Sequence, residues 1–339
     1  MKLRVIQEEQ MLLLNRSDIE KCYSLEDCID AVADAFKYFS AGKVDVPLRT
    51  QILKQNGKDT FLCMPAFCEE YDAACVKVLN MFPENINQGL PSINAQVLNI
   101  DTKTGIVNAI LDGNYVTQLR TGSASGVALK YLAKKNCKKG ALIGTGGQAA
   151  TQLEAMLIVR DLDEVAVSDL DFERAQEFAG KMQEQLAQYH TKITAVKTGN
   201  EAVKDADVII SVTPSTKPVY DAQFIKKGAT ICGVGAYQPQ MEETPAELVT
   251  KANKIYFDSK DAVLAESGDI IIPLNKGMVT NNSFTGEIGQ VVSGDLIGRE
   301  NDDEIIFFET VGIAAQDLMA TKSIYDKAAK QKVGTKVNM

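Results

Sequence analysis

The 339-residue chain has a single histidine, His190, in the polar stretch "EQLAQYHTKITAV". One imidazole excludes HExxH zinc sites, and its place in a polar connection argues against a His-based catalytic triad or a His–Asp dehydrogenase dyad. Acid–base work is left to lysine, tyrosine, a carboxylate or water. His190 itself falls in a helix-to-strand connection and reads as a solvated loop residue. The seven cysteines (Cys22, Cys28, Cys63, Cys68, Cys75, Cys137, Cys232) are an odd number without a CxxC pair. That pattern fits reduced thiols and neither a disulfide framework nor a zinc site. Cys63, Cys68 and Cys75 lie close in sequence, but their apolar company marks them as packing residues, so no metal is expected.

Positive charge is also in deficit: 36 Lys and Arg stand against 45 Asp and Glu, a net charge of −9. With no long Lys/Arg run, nucleic acid is not an expected partner. No apolar run reaches the about 18 residues of a membrane span. The start, "MKLRVIQEEQMLLLNRSDIE", is too charged for a signal peptide, so the cytoplasm is the expected location. Hydrophobic residues at 45% and charged residues at 24% are ordinary for a soluble globular protein, and the length suits two domains.

The chain begins as a strand followed by helices. "SLEDCIDAVADAFKYFSAG" has a Ser cap, an acidic first turn, an apolar stripe and a terminal glycine. Between 44 and 116 the pattern changes to short β-type runs, "TFLCMPAF", "ACVKVLNMF", "NAQVLNID" and "GIVNAILDG", the last two separated like a hairpin by "DTKTG". This predicts an antiparallel α+β module. "TQLRTGSASGVALKYLA" is then a small-residue helix suited to bridging domains. From 139 to about 305, "GALIGT", "EVAVSDL", "DVIISVT", "ATICGVG" and "KIYFDS" alternate with helical stretches, as in a parallel, doubly wound sheet. "EIIFFETVGIAAQDLMATKSIYDKAAK" closes the chain as a strand-like run leading into a long helix.

In "KKGALIGTGGQAATQLEAM", Gly144, Gly146 and Ala149 occupy a GxGxxA frame, with Gly147 and Gln148 completing the turn. The first glycine permits the turn, the second lets a phosphate approach the backbone, and the alanine lets helix pack on strand. The helix opening there aims free N–H groups and a positive dipole end at a pyrophosphate. The next strand ends at Asp169, about 20 residues on, where a carboxylate can accept both ribose hydroxyls. It would repel a 2′-phosphate, and no Arg immediately follows it. NAD(H) is the expected cofactor, with NADP(H) disfavoured.

Ahead of this unit, cations stand among apolar segments: Arg49 in "VPLRTQI", Lys77 in "AACVKVLNMF" and Arg120 in "YVTQLRTGS". A lysine inside an apolar strand is costly unless it snorkels, meets an anion or shifts towards neutrality. Together the three could clamp an α-carboxylate.

"DGNYVTQLRTGSASGVALKYLA", "IGTGGQA", "DVIISVTPS", "GVGAYQPQMEE" and "GEIGQVVSG…ETVGIAAQDL" closely resemble the ornithine cyclodeaminase/mu-crystallin family, over roughly residues 20 to 320. The resemblance implies a homodimer whose substrate-binding and dimerisation domain is α+β, residues 1–118 with 306–339. A Rossmann doubly wound parallel sheet, 119–305, would be inserted into it. It implies Arg49, Lys77 and Arg120 as carboxylate-binding cations, and Thr121 as a phosphate contact. It also implies Thr213, Val234 and Gly312 as positions lining the cofactor.

The departures bear on the reaction. Authentic ornithine cyclodeaminases carry an acidic residue near the position held here by Leu62–Cys63, and a catalytic Asp where this chain has Tyr237. A phenol with a pKa near ~10 is a poor base at neutral pH. The pattern looks more like the reductase branch: ketimine reductases, pyrroline- or piperideine-2-carboxylate reductases and some amino-acid dehydrogenases. The expectation is an NAD(H)-dependent oxidoreductase moving hydride to or from C2 of a small imino or amino acid. Lys77 is the first candidate for carboxylate contact or proton relay, and Tyr237 a hydrogen-bond donor. Asp112 would cap a turn and Asp295 would sit in a surface turn. The alternatives are ornithine cyclodeaminase and a crystallin-like NAD(P)H-binding protein, the latter disfavoured by 6% aromatic content and an intact ribose-binding Asp.

Overall fold

The computed structural model describes residues 10–47, 49–55 and 57–338. These divide into two compact units, one of residues 10–31, 42–120 and 314–338, the other of 32–41 and 121–313.

In the first unit, the strand β1 (Gln10–Leu14) is followed by helices α1 (Arg16–Cys22) and α2 (Leu25–Ser40). The expected Ser cap of α2 forms: Asp27 N–H donates to Ser24 Oγ at 3.1 Å, and Asp27 accepts from Ser24 N–H. From Val32 onward α2 belongs to the second unit. The strands β2 (Thr50–Leu53), β3 (Thr60–Cys68), β4 (Ala73–Met81), β5 (Ile93–Ile100) and β6 (Val107–Asp112) run as an antiparallel meander. Pro65, which has no N–H to give, stands beyond Cys63, where β2 stops pairing. The β5–β6 connection is the expected "DTKTG" turn, with Asp101 accepting from Thr104 N–H at 2.8 Å and Gly105 at φ +75°.

β1 lies parallel to β6, and a last strand, Thr335–Asn338, pairs antiparallel with β1. Sequence gives no sign of this strand. It is short, polar and mostly exposed, and it follows a turn that Gly334 permits at φ +103°. The C-terminal helix, Ala314–Gln331, packs over β3, β4 and β5 and supplies the cover their apolar face needs.

Helix α3 (Gly113–Leu132) starts in the first unit and from Thr121 belongs to the second. Asp112 caps it, accepting from Tyr115 N–H at 3.1 Å. The second unit is built on an eight-stranded sheet whose pairings are all parallel. Its strands are β7 (Lys139–Ile143), β8 (Glu164–Ser168), β9 (Lys192–Ala195), β10 (Val208–Ser211), β11 (Thr230–Gly233), β12 (Lys254–Phe257), β13 (Gly286–Glu287) and β14 (Ile306–Glu309). The order is β13-β12-β14-β11-β10-β7-β8-β9, so the winding reverses between β7 and β10. β10, β11 and β14 are buried at every residue, which is why they read as continuous apolar runs rather than alternating ones.

A domain boundary at 305 would give Ile306–Glu309 to the first unit. The structure instead pairs β14 with both β11 and β12, deep in the parallel sheet. Phe307 and Phe308 are fully buried there, each worth about 2 kcal/mol of apolar burial. The chain leaves this unit only after Ile313.

Candidate active site

In the second unit, the C-terminal ends of β7, β8 and β10 open into a cavity of about 810 Å³. Gly144, Gly146, Asp169 and Thr213 line it, together with Arg174 and Ser215. Gly144 is dictated by the protein: its φ is +97°, and a Cβ would lie 2.8 Å from both Val212 O and Thr213 Cγ2. Gly146 and Gly147 are different. Neither has a positive φ, and a Cβ on either would meet nothing within 4 Å. No protein neighbour forbids a side chain there, so the bare backbone leaves room for a ligand.

Gln148, the residue before helix α4 (Ala149–Val159), supplies no side-chain hydrogen bond to the helix end. Ala149 N–H is taken by Gly146 O at 3.0 Å, which leaves the N–H groups of Ala150 and Thr151 for an anion. Ala149 is fully buried against the sheet. These features fit a dinucleotide pyrophosphate.

Asp169 is held in place by what surrounds it. Its Oδ2 accepts from Thr145 N–H at 2.9 Å, from the Thr145 hydroxyl at 2.6 Å and from Arg174 Nη2 at 3.2 Å. Burial works against its ionisation, but those hydrogen bonds and the Arg174 guanidinium outweigh it and hold the carboxyl below its ordinary range. Arg174 reaches Asp169 from helix α5 (Phe172–Gln185), one turn beyond the capping residue Asp171. Adjacency in sequence does not reveal this arginine; the helix geometry does.

Thr121 sits beside α4: its carbonyl accepts from Gln152 Nε2 at 3.0 Å, and its buried hydroxyl has no partner. Val234 follows β11, and Gly312 follows β14 at φ +80° with its N–H on Asp258 at 2.8 Å. Thr121, Val234 and Gly312 are not part of the cavity wall, and neither are Gly147, Gln148 and Ala149. Tyr237 is on the loop after β11, 38% exposed, and burial pushes its phenol up, which keeps it a donor.

In the first unit the alternation of β4 turns Cys75, Lys77 and Leu79 to the covered face, and Lys77 is completely buried. Its Nζ donates to Asp317 Oδ2 at 2.6 Å. Arg120 donates through Nη1 to Gln316 Oε1 at 2.9 Å, and its Nε lies 3.4 Å from Asp317 Oδ1. Burial pushes the Lys77 ammonium down to about 8; Asp317 opposes the shift, while Arg120 and Arg49 add to it. Arg49 is thus close enough for its charge to be felt at Lys77. Two buried cations share one carboxylate, which leaves an excess positive charge that a small anion would neutralise.

Asp317 and Gln316 were not singled out by sequence reading. The available signal was a polar pair inside the apolar run "VGIAAQDLMA", at the start of a helix where a carboxylate also meets the positive dipole end.

Leu62, near the position where cyclodeaminases carry an acid, is buried opposite Leu79 and packs with Ala95. Cys68 and Cys75 are buried on the neighbouring strands β3 and β4, and all seven cysteines are free thiols. His190 is an exposed residue at φ +56°, and Asp295 is exposed in a turn. Among the described residues, no group of His, Cys, Asp or Glu could hold a metal ion, and no helix is long and apolar enough to cross a membrane.

Comparison with known proteins covers nearly the whole chain. The chain is 37% identical to a Delta(1)-pyrroline-2-carboxylate reductase of Bacillus cereus, over 96% of this chain and 99% of that protein. The structure of Thermococcus litoralis Delta(1)-pyrroline-2-carboxylate reductase in complex with NADH and L-proline matches with a TM-score of 0.91 and 41% identity, covering 96% of this chain and 100% of that one. An archaeal alanine dehydrogenase dimer with bound NAD matches with a TM-score of 0.88 and 33% identity, over 97% and 99%. The family model described as the ornithine cyclodeaminase/mu-crystallin family matches residues 8–332, and the chain belongs to that family.

Proposed function

We propose that the chain is an NAD(H)-dependent reductase of a small cyclic 2-imino acid of the pyrroline-2-carboxylate type. The carrying observation is the buried Lys77–Asp317–Arg120 cluster, whose surplus positive charge suits a carboxylate. The similarity to two pyrroline-2-carboxylate reductases, one with NADH and L-proline bound, supports both the cofactor and the substrate class.

Arg120 and Arg49 take the substrate carboxylate, the guanidinium fork giving it direction. Lys77 carries the proton: an ammonium with a pKa of about 8 is charged at neutral pH yet acidic enough to give its proton to the imine nitrogen. Asp317 anchors the ammonium, and Gln316 holds the Arg120 guanidinium. NADH, when bound, supplies the hydride that converts the protonated C2=N bond to a secondary amine. Tyr237, its phenol held protonated, is a further hydrogen-bond donor. The covered face of β3 and β4 offers no acid at Leu62, so cyclodeamination of ornithine is disfavoured.

The first unit is assigned to substrate binding and dimerisation, the second to NAD(H). The β2–β4 face opposite Lys77 presents Ile52, Phe61, Cys63, Pro65 and Val78, none of them fully buried, with Ile52 63% exposed. A second copy of the chain is the proposed cover, in keeping with the related alanine dehydrogenase dimer. Seven free thiols favour a cytoplasmic location.

The test is a panel of cyclic imino acids and 2-keto acids with NADH and NADPH at neutral pH. Consumption of NADH with pyrroline-2-carboxylate and formation of proline is expected. Proline formation from L-ornithine with catalytic NAD+ and no net NADH would overturn the reading.

A further inference from the structure

The loops after β10 and β11 meet at a residue outside the cavity. We infer that Glu243 is a positioning residue for the cofactor, its carboxylate tying Thr213 after β10 to Val234–Gly235 after β11. The inference rests on the cavity in the second unit being the NAD(H) site.

The geometry is that of a clamp. Glu243 is fully buried. Its Oε2 accepts from Thr213 N–H at 2.6 Å and from the Thr213 hydroxyl at 2.8 Å. Its Oε1 accepts from Val234 N–H at 3.1 Å and Gly235 N–H at 2.7 Å. Burial pushes the Glu243 carboxyl up, and the four donors that converge on it oppose that shift and favour the anion. Glu243 has little freedom of its own. Its N–H donates to Asp269 Oδ1 at 2.8 Å, and its carbonyl accepts from Val219 N–H at 3.0 Å.

The cluster around it favours a single charge at Glu243. Asp269 is buried with its Oδ2 unpartnered, and Glu309 is buried with Oε2 unpartnered. Burial pushes Asp269 up to about 8, with Glu243 adding to the shift, and burial with the charge of Asp269 raises Glu309 well above its usual range. Both shifts favour the neutral form at the neighbours, while the hydrogen-bond donors are gathered at Glu243.

The two loops are also in close contact. A Cβ on Gly235 would lie 2.1 Å from Thr213 O and 2.8 Å from Glu243 Oε2. Thr213 and Ser215 form a wall of the cavity, and Ser215 N–H leans on the Thr213 hydroxyl at 3.4 Å. The carboxylate thus sets the position of one wall of the cleft from behind it.

Glu243→Gln puts an NH2 against a backbone N–H in either amide orientation, because each carboxylate oxygen faces at least one. Binding of NADH, followed by its fluorescence, should weaken about tenfold. Binding of 5′-AMP, which needs the Asp169 end of the cleft, should stay within twofold. At saturating NADH, KM for pyrroline-2-carboxylate should also stay within twofold. If Glu243→Gln does not fold, Thr213→Val, which keeps the methyl that packs at Gly144, should weaken NADH about threefold, and Thr213→Ser should restore it. An unchanged NADH affinity in either variant overturns the inference, as does equal weakening of NADH and 5′-AMP. Wild-type protein that binds no NADH would instead overturn the assignment of the site.

Discussion

In the second unit the expected negative charge is met by backbone: bare glycines at 146 and 147 and the uncapped start of α4. In the first unit it is met by side chains, Lys77 and Arg120, which are already engaged with Asp317 and Gln316. The backbone arrangement leaves its donors open until a ligand arrives and needs no counter-charge from elsewhere in the chain. The side-chain arrangement has already borne the desolvation of two cations, and it holds only because a carboxylate from the C-terminal helix is supplied. A cleft made of backbone loses affinity by degrees when its surroundings change, whereas a buried charge cluster loses stability and chemistry together when one partner is lost.

Substitutions can test that contrast. Lys77→Met should reduce kcat/KM for the imino acid about a thousandfold, with NADH binding unchanged. A loss below tenfold would remove Lys77 from the chemistry. Asp317→Asn leaves two buried cations without their counter-charge and should lower unfolding free energy by about 3 kcal/mol, seen by denaturant titration. It should also cost about a hundredfold in kcat/KM.

The glycine pair separates the two regimes within one loop. Gly144→Ala should destabilise by about 2 kcal/mol because its φ is +97° and its Cβ has no room. Gly146→Ala should leave Tm unchanged and weaken NADH about tenfold, since only a ligand would feel the added methyl. Asp169→Ala should lower the NADH-over-NADPH preference about tenfold, because it removes the carboxylate and frees Arg174.

The smallest effect is in the pH profile. Lys77 is protonated below its folded-state pKa of about 8, so kcat/KM should fall as pH rises through about 8. Asp317 supports the charged form, so in Asp317→Asn the limb should move to lower pH. A wild-type limb above pH 10 would contradict this assignment.

The glycine turn could be read because its elements are contiguous: strand, turn, helix and the Asp ending the next strand lie within about 30 residues, the span of one βαβ unit. The "DTKTG" hairpin and the capped α2 are local for the same reason. Lys77 could be suspected from the cost of placing an ammonium in an apolar strand, but its partner could not. Asp317 is 240 residues away in sequence, and only the packing of the C-terminal helix on β4 joins them. Arg174 and Glu243 escaped notice because neither belongs to a short motif; each acts through a helix turn or a loop-to-loop contact.

Local chemistry in the chain determined the dinucleotide turn and the alternation of parallel strands and helices, because each is a matter of near neighbours. Tertiary structure decided that β14 belongs to the parallel sheet, that one aspartate serves both Lys77 and Arg120, and that one glutamate joins two strand ends. The physical reason is range. Backbone preferences act over a few residues, whereas the pairing of buried charges is settled only when the chain has folded and water has left.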